Sequence, residues 1–447
     1  MKMKRFLSLA LAAVLSLSTA SVAFAEGDSK IAEFGGKKYE TLAEAVEAVV
    51  QSENKTGTVT LLNDSKGPAI GLFNGKGAKD VNLVIDFGGF TYECNDQLVG
   101  SVGTESQAFH LEKGNTVTLR NGTIKAGEKA AMLIQNYSDL TLNDLTLDIR
   151  ESDACQYAMS NNCGKVELIG ETNIYTTGSQ KAFDVCWAPN VGYPAGTQVT
   201  VNTTGTINGV VEVGVWGDMK DTTPLSTITV KNGTFTGALE VDEKLEESAK
   251  NNVSIEGGLF TDESWNNDEY TENAAVIAEL KNDGEIEAFH IGGTGAVIDA
   301  TNYDSVTLTK APEGSNIKVV GEDVTVENGT DKALTVNGTN VPVDGEVVVN
   351  RAPREDNGGD YFGNEKWAKV KREIAAAEEG DTIKVSATGL PWFPSSVARA
   401  LKGHDITLEI RKNGTTYSVN GEKIGAIEKI WYEFDQLEEK LLTAEAK

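Results

Sequence analysis

Apolar and polar residues alternate through Val117-Thr118-Leu119-Arg120, break at Asn121-Gly122 and resume at Thr123-Ile124. The same pattern returns at Leu140–Leu147, Val166–Ile174, Val199–Ile207, Ile228–Phe235 and Val253–Phe260. A period of two reads as a strand, and Asn, Asp or Gly at the break supplies the left-handed backbone that a corner needs. Asn121, Asp144, Gly170, Asn232 and Gly257 are therefore expected at the corners. A shorter strand precedes each unit: Ala108–Leu111, Ala131–Ile134, Ala158–Asn161, Ala182–Val185, Val210–Val213 and Ala238–Val241. Units of strands alone, recurring every roughly 20–50 residues, signal a stacked array. Three strands per unit close a triangle that buries its inward side chains only against its neighbours. The predicted fold is thus mainly β, a right-handed parallel β-helix with three strands per coil.

Residues 81–265 carry this pattern, and 26–80 read as its N-terminal cap. There Thr41 and Glu44 form a capping box for a helix whose Leu42, Val46, Val49 and Val50 share one face, followed by a strand at Thr58–Leu62. A helix across the open end of a β-helix would shield unpaired backbone groups. Over 266–350 the repeat weakens into either final coils, the favoured reading, or a small β domain, and 351–360 read as a linker. Residues 361–447 form a small α+β domain: a helix marked by Trp367, Val370, Ile374 and Ala377, a strand at Thr382–Val385, a helix at Ser396–Leu401, a hairpin around Asn413-Gly414, and a last helix bearing Ile427, Ile430, Trp431, Phe434, Leu437 and Leu441.

Lys2, Lys4 and Arg5, an apolar run from Phe6 to Leu17 and then Ala23-Phe24-Ala25 fit a secretory leader over 1–25, so the protein is expected outside the cell, secreted or loosely associated with its surface. The apolar run is too short to span a bilayer, and no comparable run follows. The formal charge of −27 becomes more negative once the leader's three cations are removed. Such an excess of carboxylates repels nucleic-acid phosphates and anionic lipid, so neither is an expected partner. The cysteines Cys94, Cys155, Cys163 and Cys186 leave three pairings open; Cys155 with Cys163 would close a small loop, while Cys163 and Cys186 also read as small buried residues. No Cys/His cluster points to zinc.

The helix-strand cap followed by Val-Thr-Leu coils with Asn-Gly turns resembles the pectin lyase-like β-helix proteins secreted by gut-type Gram-positive bacteria, over residues 31–300. The segment Leu390–Gly403, with its hairpin and Val419-Asn420-Gly421, is similar to a recurrent C-terminal module of such proteins, one that implies no particular chemistry. The fold hosts polysaccharide lyases, polysaccharide hydrolases, adhesins and toxins. The Asn-Thr-Asp, Asp-Asp, Gly-His-Gly and Arg-Ile-Lys motifs expected of its galacturonan hydrolases are missing, as is the tryptophan-rich strand of pectate lyases.

One column carries candidate chemistry. Aligning the preceding strands stacks His110, Leu133, Ser160, Asp184, Glu212 and Glu240, at about 4.8 Å per coil. Three stacked carboxylates repel one another unless a cation or a shared proton relieves them, and calcium, with its taste for several oxygens, is the natural candidate for Asp184, Glu212 and Glu240. Trp187 and Trp216, on the same strands, offer flat faces for sugar rings. Lys181, Arg150 and Arg120 are the cations near enough in sequence to serve a lyase as base. The plain alternative is a solvated strand face, since Phe183, Val185, Val211, Val213, Leu239 and Val241 alternate around the carboxylates. Asn136 and Asn162 are expected to stack as a structural asparagine ladder. The acidic stretches 262–272 and 356–360 lack EF-hand spacing and read as solvated loops. Among Trp367, Trp392, Phe393, Trp431, Tyr432 and Phe434, only Trp392 and Phe393 are expected at the surface.

The favoured reading is a non-enzymatic protein that binds a polysaccharide or surface glycan, or another surface component. Its rivals are a calcium-assisted polysaccharide lyase or glycoside hydrolase using Asp184, Glu212 and Glu240, and a structural surface or matrix protein.

Overall fold

The computed structural model describes residues 30–187, 196–215, 226–245, 252–321, 323–349, 365–377, 379–387, 392–412, 415–427, 429 and 431–442. The expected leader and linker lie outside them. The chain is mainly β, and every strand from Thr56–Leu61 to Gly258–Phe260 pairs in parallel with a neighbour. Among the described residues, no helix is long and apolar enough to cross a membrane.

The repeat read from the alternation is laid down in register. Val117, Leu140, Val166, Val199, Ile228 and Val253 stand beside one another on neighbouring strands. A second file runs Leu119, Leu142, Leu168, Val201, Val230 and Ile255. Past the corner a third runs Ile124, Leu147, Ile174, Ile207, Phe235 and Phe260. All are buried, each contributing roughly 1.5–3 kcal/mol by leaving water. The corner backbone is left-handed at Asn121 (φ 58°), Asp144 (φ 51°) and Gly170 (φ 65°), as the turn chemistry predicts. In the last two units the positive φ falls one residue beyond Asn232 and Gly257, on Gly233 and Gly258. The register against Thr197–Ile207 slips between Val201 and Asn202, passing over Lys231, and carries the corner downstream.

A second sheet is made of the preceding strands, in the order Ile70–Leu72, Gln107–Leu111, Met132–Asn136, Tyr157–Asn161, Lys181–Trp187, Val210–Val215 and Leu239–Val241, every pair parallel. Its buried file is Ile70, Phe109, Ile134, Met159, Phe183, Val211 and Leu239. At the N-terminal side, the helix Leu42–Val50 is capped as expected: Thr41 Oγ1 accepts from Glu44 N–H at 3.1 Å, and the Glu44 carboxylate accepts from Thr41 N–H. Its Leu42, Ala45, Val46, Val49 and Val50 join the same core as Val59 and Leu61 of the strand Thr56–Leu61.

The parallel run stops at Gly258–Phe260, which pairs antiparallel with Glu285–Gly292. That strand forms a hairpin with Val276–Asn282, whose Ile277, together with Ile291 of its partner, enters the main core. Val276, Ala278, Leu280 and Ala288, between them in the pleat, line a second core with Ile298, Val306, Ile317, Val326 and Val336. This part of the chain combines short parallel pairs, such as Ser305–Lys310 with Val324–Asn328, with antiparallel ones, such as Val324–Asn328 with Glu346–Val349.

The C-terminal residues hold a third core, built from Trp367, Val370 and Ile374 of the helix Glu365–Ala376, Val397 and Leu401 of the helix Ser395–Leu401, and the strands Thr382–Ser386, Thr407–Lys412 and Thr415–Asn420. The long last helix expected over Ile427–Leu441 does not form. Trp431–Tyr432 is a strand paired antiparallel with Phe393–Pro394, and helix is confined to a 3₁₀ turn at Phe434–Gln436 and to Leu437–Lys440. Tyr432 is buried by the strand pairing and Phe434 by the 3₁₀ turn that follows, so two short elements share the apolar residues that would also fit one helical period.

Candidate functional site

The second sheet brings the expected column together with one change of member. His110 pairs with Gln135, and Gln135 with Ser160, so Gln135 occupies the place assigned to Leu133. A slip of two residues leaves the alternation intact, which is why the pattern alone could not reveal it. Asp184 then pairs with Glu212, and Glu212 with Glu240. The row runs from buried to exposed: Ser160 and Asp184 are 5% and 7% accessible, whereas the Glu240 side chain is 54% accessible.

Each polar group in this row has a partner. Gln107 Oε1 lies 3.2 Å from His110 Nδ1, and the His110 ring stacks on Phe73 at 4.9 Å between centroids. Gln135 Nε2 donates to Ser160 Oγ at 3.3 Å, and Ser160 Oγ donates to Asp184 Oδ2 at 2.9 Å. The other Asp184 oxygen accepts the backbone N–H of Asn161. Burial, reinforced by the Glu212 charge and opposed by these two donors, pushes the Asp184 carboxyl up to about 7. Tyr157 Oη donates to Glu212 Oε2 at 3.0 Å, and burial together with that carboxylate raises the phenol above its ordinary range. The expected asparagine ladder pairs Asn136 with Asn161, one residue before Asn162: Asn136 Nδ2 donates to Asn161 Oδ1 at 3.1 Å, and Asn161 Nδ2 to the Asp184 carbonyl at 2.9 Å.

The repulsion foreseen between stacked carboxylates is relieved from within the chain. The Lys181 ammonium lies 3.6 Å from Glu212 Oε1 and also binds Glu240, and Asp184 lowers the remaining charge by holding a proton near neutrality. A calcium ion on Asp184, Glu212 and Glu240 would have to displace that ammonium and the donors of Asp184. Among the described residues no three His, Cys, Asp or Glu side chains gather to hold a metal. Arg150 and Arg120 serve elsewhere, on Asp148 and Asp86. Trp187 ends the strand Lys181–Trp187, its backbone paired with Val215, while its side chain and the whole of Trp216 fall outside the described residues. No disulfide joins Cys94, Cys155, Cys163 and Cys186. Burial pushes the Cys155 and Cys163 thiols up to about 12 and about 11, and they donate to the carbonyls of Tyr157 and Tyr137.

Tyr157, Gln135 and Asn161 are site residues that the sequence reading passed over. Tyr157 is one place ahead of the aligned strand, and its pairing with Lys181 brings phenol and ammonium onto the same carboxylate. Chemically the row is a closed network, with hydroxyls, amides and carboxylates in file and its accessible end at Glu212, Glu240 and Lys181. Lys181→Met is expected to cost about 1 kcal/mol in urea unfolding at low salt, because its partners are partly exposed. The loss should shrink in high salt and be partly reversed by adding Glu240→Gln; an unchanged midpoint would show that the ammonium does not hold the row together. Compared with known protein families, curated proteins and solved structures, the chain matches none of them.

Proposed function

We propose that the protein is a secreted right-handed parallel β-helix, with three strands per coil, a helical cap and a small C-terminal α+β domain, and that it binds a glycan or another extracellular surface component along its side without chemically altering it. The observation that carries this reading is the file of polar side chains from His110 to Glu240 on parallel strands in register. His110, Gln135, Ser160 and Asp184 are buried and form its support, and the accessible end, Glu212, Glu240 and Lys181, offers charged donors and acceptors about 4.8 Å apart along the side, a spacing that suits an extended, hydroxyl-rich chain better than a compact metabolite. Against catalysis stand the engaged oxygens of Asp184 and its low exposure, which close that carboxylate to a substrate.

The mature chain on a glycan array is expected to bind, to lose binding on Trp187→Ala or Trp216→Ala, and to weaken on Glu240→Gln. Binding that is absent, or indifferent to these changes, would remove the reading. A polysaccharide lyase or hydrolase remains the second reading because Asp184 holds its proton near neutral pH, as a general acid does. It predicts unsaturated products or new reducing ends from acidic polysaccharides; none, with or without calcium, is the result expected of a binder.

A further inference from the structure

A cleft of about 340 Å³ opens on the C-terminal region, far in sequence from the polar row and sharing no residue with it. Its construction follows from alternation. Phe393, expected at the surface, is fully buried, because its pairing with Tyr432 turns both rings into the core. The neighbouring Trp392 is thereby left half-buried at the cleft wall. Past Tyr432 the chain enters the 3₁₀ turn Phe434–Gln436, which leaves Glu433 and Asp435 exposed on either side of buried Phe434. Tyr417, from the strand Thr415–Asn420, packs its ring 5.8 Å from that of Phe434, and the Lys412 ammonium lies 4.1 Å over the Phe434 face. Thr415 adds a hydroxyl at the rim.

This lining selects by exclusion. An anion would meet Glu433 and Asp435. A quaternary ammonium seeking an aromatic face would meet Lys412 already seated on Phe434. A wholly apolar ligand would strand two carboxylates, an ammonium and a hydroxyl. A ring with apolar C–H faces and a belt of hydroxyls meets every group: the half-buried Trp392 and Tyr417 rings take its face, the carboxylates accept its O–H groups, and Lys412 and Thr415 donate to its oxygens. We infer that the cleft between Trp392, Tyr417 and Glu433 is a binding site for a neutral pyranose. The site does not depend on the track proposed above, and either could exist without the other.

The test titrates the full mature chain with methyl glucoside, methyl galactoside, N-acetylglucosamine and cellobiose, read by saturation-transfer NMR and tryptophan fluorescence. At least one sugar should bind with a Kd of about 1 mM or tighter. Trp392→Ala should weaken it at least about tenfold, and so should Glu433→Gln, an exposed change that leaves the core intact and guards against misfolding as the cause. Glu313→Gln, an exposed change outside both the cleft and the polar row, should have no effect. The inference is overturned if none of these sugars binds, if binding survives both cleft variants, if Glu313→Gln abolishes it while the cleft variants retain it, or if choline occupies the Trp392 site in preference to every sugar.

Discussion

Replacing Asp184 with asparagine is expected to flatten the pH dependence of stability between about pH 4 and pH 7 and to raise stability at pH 8. The carboxyl titrates near 7 when folded, against 3.8 for an ordinary aspartate. Between those values the folded state keeps a proton that the unfolded chain has released, so stability falls as pH rises, by about 1.4 kcal/mol per unit. The whole contribution, on the order of 4 kcal/mol, is present below the unfolded pKa and is lost once pH passes the folded one. Asparagine is a fixed copy of the protonated form: its oxygen can accept Asn161 N–H and its amide can donate to Ser160 Oγ. At pH 8 it should gain about 2–4 kcal/mol over the native residue. Asp184→Ala lacks both contacts and should fall about 2 kcal/mol below the asparagine variant at every pH. Urea unfolding across the pH range decides the matter: parallel curves for the native and asparagine proteins would mean that Asp184 is ionised throughout.

Trp265→Ala is expected to cost about 3–5 kcal/mol and to lower Tm by about 5–9 °C. The indole is fully buried, with ring centroids 4.6 Å from Phe235 and 5.0 Å from Phe260, and its Nε1–H donates to the Gly237 carbonyl at 2.8 Å. Truncation opens a cavity between the two phenylalanines that end the third file, and it leaves the half-buried Gly237 carbonyl without its donor. Calorimetry reads the change; a loss under about 1 kcal/mol would mean that the rings are not close-packed there. Trp265→Phe should recover the packing but not the hydrogen bond.

Trp265 also marks a boundary of what the chain spells out. It sits in the acidic stretch 262–272, where composition predicts a solvated loop. Asp262 instead accepts Ser264 N–H at 3.0 Å and starts the 3₁₀ turn that drives the indole inward. The files from Val117 to Val253 and from Ile124 to Phe260 were readable because valine, leucine and isoleucine repeat beside turn residues, and because backbone chirality leaves Asn121, Asp144 and Gly170 few alternatives. Register was less readable. Leu133 and Gln135 obey one alternation, and only pairing distinguishes them; Asn161 and Asn162 are adjacent, and only burial does. The carboxylates Asp184, Glu212 and Glu240 could be aligned from the letters, but their neutralisation could not, since Lys181 reaches them by crossing strands far apart in the chain. Near the C-terminus, Ile430 and Phe434, four apart, suit a helical period and a strand period alike, and pairing of Trp431–Tyr432 with Phe393–Pro394 settled which one prevails there.

The hairpin Val276–Asn282 with Glu285–Gly292 gives Ile277 and Ile291 to one core and Val276, Ala278 and Ala288 to another. A partition wall of this kind makes its two rooms cooperative. Melting either core would strip one face of the hairpin and leave its remaining side chains without a floor, so the free energies of the two cores are coupled through a handful of alternating residues.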